Sequence, residues 1–366
     1  MVIRCSVAFG LLGLFQATLG PLIPLLSDRE GLDAATAGLI VTGFYGGSLV
    51  STAVGGAVSD RLARGPLYLV STALFLGGLG LFALPLGWPV PLVAVSIAGL
   101  GFGGLVLIVN TVMAARGLRH VSLVNGTFGL GAAAGPALIS LTHGGYLFAF
   151  VAVGVLLSLP LRLAVPAAPA ERTRLTVGPV LLLFCGMLFC YAGVETGLSS
   201  WEATNLRAHG YAPDTASALT SLFWLGLAAG RLLVPLVTRT WTEARVLVTA
   251  FLACAGGLVL ITVDVSAPVG FLLLGALVGP VFPTTLTWIA VTLPHPRRVN
   301  AVALTVGMLG NATVPALIGY GMRATSALAL PLFVLVAVIA CLVAVVMLRR
   351  RTSSDVSSAQ RVESRE

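Results

Sequence analysis

Residues 186–206, GMLFCYAGVETGLSSWEATNL, form a long apolar run with a carboxylate, Glu195, near its middle and Trp201 towards one end. An ionisable side chain at that depth of a membrane span costs roughly 2.5–3.5 kcal/mol on insertion scales, so it usually faces the interior of a helix bundle. Desolvation disfavours its charged form, so we expect Glu195 to exchange a proton near physiological pH or to bind solute hydroxyls. The alternative is a structural carboxyl that is neutral and bonded to a neighbouring helix.

The rest of the chain is equally apolar. Its 366 residues are 57% hydrophobic and 9% charged, and the mean hydropathy is +1.02, which excludes a soluble domain. A bilayer core of about 30 Å is crossed by about 20 apolar residues, so the length predicts about twelve helices. We place them at 2–26, 36–59, 66–86, 90–115, 122–142, 144–164, 177–201, 216–237, 244–263, 269–293, 300–322 and 327–349.

The longest connection, residues 165–176, is rich in proline and charge and divides the chain into halves at 1–164 and 177–349. Residues 350–366 are polar and serine-rich, so we expect a disordered cytoplasmic tail. All 21 basic residues are arginine and they cluster in alternate loops, which places both termini on the cytoplasmic side of a cell membrane. They form no single patch, so the net charge of +8 does not indicate nucleic-acid binding.

An internal repeat relates the halves at an offset of about 179 residues, as in transporters built from parallel repeats. The tetrapeptide Pro-Ala-Leu-Ile occurs at 136–139 and again at 315–318, and Gly131 aligns with Gly310. The same offset places Gln16 opposite Glu195, so the first helix of each half carries one hydrogen-bonding side chain at the same depth. Transport sites in such folds lie near the midplane between the repeats.

The loop after the second helix carries Gly56, Asp60, Arg61 and Arg64, with Ala63 in place of a glycine. This pattern resembles Gly-x-x-x-Asp-Arg-x-Gly-Arg, the local signature of the major facilitator superfamily. The resemblance implies an all-α membrane protein of twelve transmembrane helices in two parallel six-helix repeats. It also implies that Asp60, Arg61 and Arg64 act as a gate, since such charges can pair across the halves in one state only.

Four stretches are similar to the fucose-permease-like branch of that superfamily, a branch of sugar–proton symporters. They are Asn125-Gly-Thr-Phe-Gly-Leu-Gly131, Tyr191-x-Gly193-x-Glu195, Gly230-Arg231 and Gly279-Pro-Val-Phe-Pro-Thr284. The acids of that branch's fucose carrier in helices 1 and 4 correspond here to Gly20 and Val106, which cannot carry a proton. Gly131-x-x-x-Gly135-Pro136 also resembles part of a drug–proton antiporter motif, so efflux stays open.

Further polar and aromatic side chains are candidates for the cavity. Gln16 and Asn110 both donate and accept hydrogen bonds, which suits hydroxyls or amides, although interhelical bonding is their alternative role. Trp224, Trp288 and Tyr45 are deep enough to line a solute path.

Two residues are expected to have other roles. Arg231 lies about two turns before its helix ends, and we expect it to act in gating or structure, with binding of an anionic solute as the alternative. Trp201 lies near the outer surface, where the aromatic belt at the membrane interface is the favoured interpretation.

Together these features predict a secondary transporter that works by alternating access. We favour a small, sugar-like solute coupled to protons, with Glu195 as the proton carrier. Proton-driven efflux of a drug or metabolite is one alternative, and a non-transporting membrane receptor on the same fold is another. The sequence shows no nucleophile–base pair and no metal-ligand cluster. We therefore expect no enzyme activity, cofactor or metal, and a monomer in the lipid bilayer whose partners are the solute and the proton.

Overall fold

A computed structural model describes residues 1–58, 64–114, 116, 118–142, 147–158, 178–293 and 296–363. This part of the chain is helical and contains no strand. The first half holds α1 to α6, at Val2–Glu30, Ala34–Val58, Arg64–Ala83, Val90–Ala114, Leu118–Thr142 and Leu147–Ser158. The second half holds α7 to α12, at Pro179–Ala208, Pro213–Val237, Glu243–Gly257, Ala267–Thr292, Pro296–Ala324 and Leu330–Glu363.

Two of these helices are interrupted. α8 is divided at Thr220 into Pro213–Leu219 and Ser221–Val237, and α10 is divided at Gly279 and Pro280 into Ala267–Val278 and Val281–Thr292. Proline lacks the backbone N–H that continues a helix, which accounts for the break in α10. Among the described residues 11 helical segments are long and apolar enough to cross a membrane, and α6 is a shorter apolar helix. The predicted all-α membrane fold is confirmed.

The two halves are packed alike. α1 lies on α5 as α7 lies on α11, and α2 lies on α4 as α8 lies on α10. A Cβ added to Gly131 would lie 1.8 Å from the Gly10 carbonyl oxygen, and one added to Gly310 would lie 2.1 Å from the Phe189 carbonyl oxygen. Only glycine allows helices to approach so closely, so the repeat-related glycines set the same packing in both halves.

Among the described residues, the halves meet mainly through three helix pairs, α1 with α7, α2 with α11 and α5 with α8. We call the end that carries the α1–α2, α7–α8 and α11–α12 connections the Asp28 end, and the opposite end the amino-terminal end. A Cβ on Gly20 would lie 2.3 Å from the Ser199 carbonyl oxygen, so α1 and α7 touch backbone to backbone on the Asp28 side of the bundle centre.

The predicted linker and the predicted tail are described to different extents. The expected linker at 165–176 lies outside the described residues. The helical backbone of α12 continues as far as Glu363, and disorder of the tail at 350–366 stays a prediction. No glycine or proline interrupts residues 350–363, and extending a helix that has already formed adds one hydrogen bond for each residue ordered.

Candidate solute-binding site

A cavity of about 200 Å³ lies beside the middle of α7, on the amino-terminal side of Glu195. Its walls come from α7, α8, α10 and α11, all in the second half. The lining residues are Leu188, Tyr191, Ala192, Glu195, Arg231, Phe282, Ala303, Leu304, Gly307, Met308 and Asn311. Most of these are apolar, and a few polar groups converge among them, as in typical small-molecule sites.

Glu195 is the centre of the polar groups. The Tyr191 hydroxyl, one turn earlier on α7, donates a hydrogen bond to Glu195 Oε2. Arg231 Nη2, from α8, lies 3.4 Å from the same oxygen. The Glu195 side chain is 19% exposed and that of Arg231 is 40% exposed, so the pair faces the cavity rather than the packed core. A phenol and a guanidinium both stabilise the ionised carboxylate.

The first half reaches this site through uncharged side chains. The hydroxyl of Tyr45, on α2, lies beside Gln16 of α1 and Thr196 of α7. Thr196 Oγ1 in turn donates a 2.7 Å hydrogen bond to Asn311 Oδ1 on α11. The structure therefore brings Gln16, Tyr45 and the neighbourhood of Glu195 together across the two halves.

Arg231 and the other predicted gate residues have different outcomes. Arg231 lines the cavity and pairs with Glu195, so it belongs to the candidate binding site. Asp60 and Arg61 lie outside the described residues. Arg64 begins α3, and its side chain is likewise outside the description.

Three predicted lining residues lie away from the cavity. Asn110 Nδ2 donates to the Val106 carbonyl oxygen, and Asn110 Oδ1 accepts a 2.9 Å bond from Asn125, which joins α4 to α5. Trp288 is buried against Phe184, with ring centroids 5.3 Å apart. Trp224 is also buried, beside Phe223, and its Nε1 has no hydrogen-bond partner within the described chain.

The Asp28 end is closed around Trp201. The side chain is 1% exposed, and its Nε1 donates a 2.8 Å bond to the Pro315 carbonyl oxygen. Added Cβ atoms on Gly38 and Gly319 would lie 2.5 and 2.4 Å from the indole ring. The expected place of Trp201 in the interfacial belt is therefore wrong, because α2 and α11 close over this part of α7.

Among the described residues, two ion pairs join the halves at the same end. Arg207 Nη1 lies 2.8 Å from Asp28 Oδ2, and Arg323 Nη1 lies 3.6 Å from Asp33 Oδ2. Asp28 and Arg207 are separated by 179 residues, so they occupy equivalent positions of the repeat. The Thr36 hydroxyl and the Arg323 guanidinium lower the pKa of Asp33, which keeps this carboxylate ionised. The conformation is thus sealed at the Asp28 end.

Sequence reasoning did not place Tyr191 at the cavity, and it left Asn311 open between a site position and an interhelical bond. Tyr191 lies four residues before Glu195, a spacing that places both on one helix face, so this signal is present in the sequence. Asn311 is aligned with Ala132 in the repeat, and nothing in the pattern distinguishes a cavity position from an interhelical bond.

The comparisons with known proteins agree with this architecture. The chain is 22% identical over 386 residues to the glucose/mannose transporter GlcP of Bacillus subtilis (strain 168), covering 95% of each protein. The nucleoside transporter NupG superimposes with a TM-score of 0.72 at 13% identity, covering 95% of this chain and 98% of that one. A variant of the E. coli fucose:proton symporter FucP gives a TM-score of 0.64 at 15% identity, covering 94% and 97%.

Both structural similarities are below 25% identity, so they establish the shared fold. The sequence profile of the Major Facilitator Superfamily matches residues 5–315. This match covers most of the chain and confirms the predicted superfamily. Glu195, Arg231 and their neighbours therefore lie in the membrane-embedded core of a transporter fold, and this chain belongs to the Major Facilitator Superfamily.

Proposed function

We propose that this protein is a secondary transporter that moves a small, sugar-like solute by alternating access, in company with protons. The observation that carries the proposal is the cavity at Glu195. Its volume of about 200 Å³ is smaller than the roughly 300–1,000 Å³ typical of pockets for drug-sized ligands. The size therefore favours a small solute over a bulky drug, and efflux of a large amphipathic molecule becomes the less suitable alternative.

The chemistry of the lining suits hydroxyl groups. Glu195 accepts hydrogen bonds, Arg231 donates them, and the Asn311 amide and the Tyr191 hydroxyl can do both. Phe282 and Met308 supply apolar surface for the carbon skeleton of the solute. The names of GlcP, a glucose/mannose transporter, and FucP, a fucose:proton symporter, support a sugar-like solute and a coupling proton.

The closed Asp28 end supports alternating access. To open, this end has to separate Asp28 from Arg207 and Asp33 from Arg323. Exposed ion pairs of this kind stabilise by about 0–1 kcal/mol each, so thermal motion and solute binding can break them. The packing of α2 on α11 and of α5 on α8 gives the halves two contact lines about which they can rock.

A second candidate solute is a small organic anion. Arg231 favours it, since 40% of that side chain is exposed in the cavity and its contact with Glu195 is 3.4 Å long. A carboxylate on the solute would compete with Glu195 for the guanidinium. This candidate shares the transport mechanism and differs only in the group that is recognised.

The arginine distribution supports a cell membrane location with both termini in the cytoplasm. In that orientation the Asp28 end is extracellular and the cavity lies on the cytoplasmic side of the closed end. We propose that a single chain is the transporting unit, because each half provides part of the region around Glu195.

A ligand screen tests the solute class. Purified wild type and Glu195→Gln are compared by thermal unfolding at acidic and neutral pH against monosaccharides, small organic anions and lipophilic cations. A ligand that binds the native state raises the melting temperature, and tenfold more ligand above saturation adds about 1.4 kcal/mol. We expect a monosaccharide to stabilise wild type and to lose most of its effect in Glu195→Gln.

Two outcomes of the ligand screen would contradict the proposal, and a transport assay would exclude the alternative function. Equal stabilisation of wild type and Glu195→Gln would contradict the site. Hits confined to lipophilic cations would contradict the solute class. Counterflow of any solute in proteoliposomes would exclude a non-transporting receptor.

A further inference from the structure

A second carboxyl of α7 is completely buried. Glu202 is 0% exposed, and neither of its carboxyl oxygens has a hydrogen-bond partner within the described residues. It lies seven residues after Glu195, which is about two helical turns or about 10.5 Å along the helix axis. The two side chains differ by only about 20° in direction around the axis, so they lie on the same face of α7. One face of α7 thus carries a carboxyl in the cavity and another that is sealed on the Asp28 side.

α8 carries a matching pair. It runs antiparallel to α7 after the short connection at residues 209–212, and its Arg231 reaches Glu195. Trp224 lies seven residues before Arg231, so the helix register places it at the level of Glu202. Trp224 is buried, and its Nε1–H also lacks a hydrogen-bond partner within the described residues. At the level of Glu195 the two helices therefore hold an ion pair. At the level of Glu202 they hold a buried acceptor, the Glu202 carboxyl, and a buried donor, Trp224 Nε1–H, each without a hydrogen-bond partner within the described residues.

The surroundings of the two carboxyls favour opposite charge states. Glu195 lies beside a guanidinium and a phenol, two donors that favour a carboxylate. An ionised Glu202 would have lost its water without gaining a donor, so the protonated form is the one compatible with this packing. Two carboxyls whose environments separate them in this way commonly divide the roles of charge stabilisation and proton transfer.

Charged groups on the helices around α7 are engaged elsewhere. α7 is packed by α1, α2, α8, α10, α11 and α12. Near the Asp28 end the recorded pairs are Asp28 with Arg207, Asp33 with Arg323, Arg29 with Glu30 and His209 with Asp264. Asp214 at the start of α8 and Tyr320 on α11 are exposed, α10 carries no charged residue, and the apolar part of α12 at 330–348 carries only the Cys341 thiol. On the cavity side, Tyr191 and Arg231 are bonded to Glu195.

We propose that Glu202 is the carboxyl that binds the coupling proton, while Glu195 stays ionised and binds the solute. The proton is held on a Glu202 oxygen while the Asp28 end is closed. When that end opens, water reaches Glu202, the proton passes to water, and the Trp224 Nε1–H can donate to the carboxylate that remains. Protonation of Glu202 is thus a condition for closing the Asp28 end. This inference rests on the proposed transport function and replaces Glu195 as the proton carrier.

Infrared spectroscopy of the full-length protein tests the charge state without any solute. At neutral pH the C=O stretch of a protonated, buried carboxyl is expected in wild type and in Glu195→Gln, and it should be absent from Glu202→Gln. The two variants are matched, because each replaces one carboxyl on the same face of α7 by an amide of the same size. A band that persists in Glu202→Gln, or one that disappears only in Glu195→Gln, would overturn the assignment.

Proteoliposomes test the coupling, with radiolabelled D-glucose and D-mannose as probes. The ratio of uptake driven by an imposed pH gradient to counterflow should fall at least tenfold in Glu202→Gln. Trp224→Phe keeps an aromatic ring but removes the donor, so the pH at which its uptake is half-maximal should move upwards. An unchanged ratio in Glu202→Gln would contradict the proposal. If wild type exchanges neither sugar, the proposed solute class fails, and the infrared result still decides the charge state of Glu202.

Discussion

The two halves of this transporter share their backbone packing but differ in the charge that they bring to the centre. Gln16 and Glu195 occupy equivalent positions of the repeat, on α1 and α7. Around Gln16 the first half offers the neutral Tyr45, whereas the second half offers Arg231 and Tyr191 to Glu195. Both halves use glycine at Gly131 and Gly310 to hold the same helix contact. The fold has therefore stayed symmetric, and the divergence is in the side chains that meet the solute path.

This asymmetry has a functional consequence. An amide such as that of Gln16 binds hydroxyls in the same charge state at every pH, whereas a carboxyl can change its charge. Both carboxyls of α7, Glu195 and Glu202, belong to the second half. We infer that the first half mainly orients the solute and that the second half supplies the charge and the proton.

The largest expected effect comes from removing the charge at one of the two equivalent positions. Glu195→Gln should weaken D-glucose binding about 10- to 100-fold, because hydrogen bonds to charged groups contribute about 1.5–3 kcal/mol. Gln16→Leu, at the equivalent position, should weaken it only about 2- to 10-fold, as expected for a neutral bond. Equilibrium binding to the purified protein measures both. Equal losses in the two variants would contradict the asymmetry.

The next effect concerns the ion pair of the second half. Arg231→Gln or Glu195→Gln alone leaves a partly buried charge without its partner, so each should lower the free energy of unfolding by about 1–2 kcal/mol. The double variant removes both charges and should be less destabilised than the sum of the two single variants. Denaturant unfolding in detergent measures the free energies of unfolding for this double-mutant cycle. Strictly additive losses would mean that Glu195 and Arg231 do not stabilise each other.

A comparable effect is expected at Trp201, whose indole ring packs on Gly38 of the first half. Trp201→Phe leaves the Pro315 carbonyl oxygen without its donor, at an expected cost of about 1–2 kcal/mol, and it should lower the melting temperature by a few degrees. Trp241→Phe is the matched control, since Trp241 stacks under Arg245 outside the bundle core. Thermal unfolding of both variants measures the difference. A control that loses as much stability as Trp201→Phe would show that the closed end does not depend on this bond.

Reversing the repeat-related ion pair should have a still smaller effect. Asp28 and Arg207 have side chains that are 56% and 27% exposed, so Asp28→Arg should cost about 0.2–1 kcal/mol, and adding Arg207→Asp should restore the pair. Salt should reduce the effect of the single variant, because exposed charges are screened. Melting temperatures at low and high ionic strength check this. No rescue by the double variant would contradict a pairing between these residues.

The smallest effect is the pH response of Asp33. Its pKa is lowered by the Thr36 hydroxyl and the Arg323 guanidinium, so its stabilising contribution is fully present above the ordinary aspartate value of about 3.9 and is lost as the pH falls through the lower folded value. The difference in melting temperature between wild type and Asp33→Asn should therefore be constant from about pH 5 to about pH 8. A difference that changes within that range would contradict the contact and would remove this control for pH effects at Glu202.

The sequence is sufficient for the scaffold and for the centre of the candidate site. Apolar spans about 20 residues long and an offset of about 179 residues predict the helices and the repeat. That offset also identifies Gln16 and Glu195 as a pair, because residues related by the repeat lie at the same depth in the bundle. The offset does not predict how deeply the end of each helix is buried by neighbouring helices. Trp201 and Glu202 are close to the end of α7 in the sequence, yet both are buried, and Gly38 of α2 and Gly319 of α11 pack on the Trp201 ring.

Rotation of a helix about its axis is the other feature that the sequence does not predict. Asn110 and Trp288 are at suitable depths, but one bonds to Asn125 and the other packs on Phe184 instead of facing the cavity. A membrane helix that is apolar on all faces has no polar stripe to indicate which side points inwards. The sequence does not show that Arg231 points towards the cavity, so it favours a gating role for this residue. The structure shows that α8 brings Arg231 to Glu195.

Solute counterflow in proteoliposomes tests the central claim most directly. Vesicles loaded with D-glucose, D-mannose, a nucleoside or a small organic anion are diluted into the labelled solute, with wild type, Glu195→Gln and Gln16→Leu in parallel. We predict exchange of a monosaccharide by wild type, at least a tenfold lower rate in Glu195→Gln and a much smaller loss in Gln16→Leu. Exchange that is equally fast in Glu195→Gln, or no exchange of any of these solutes by wild type, would contradict the proposed transport through Glu195.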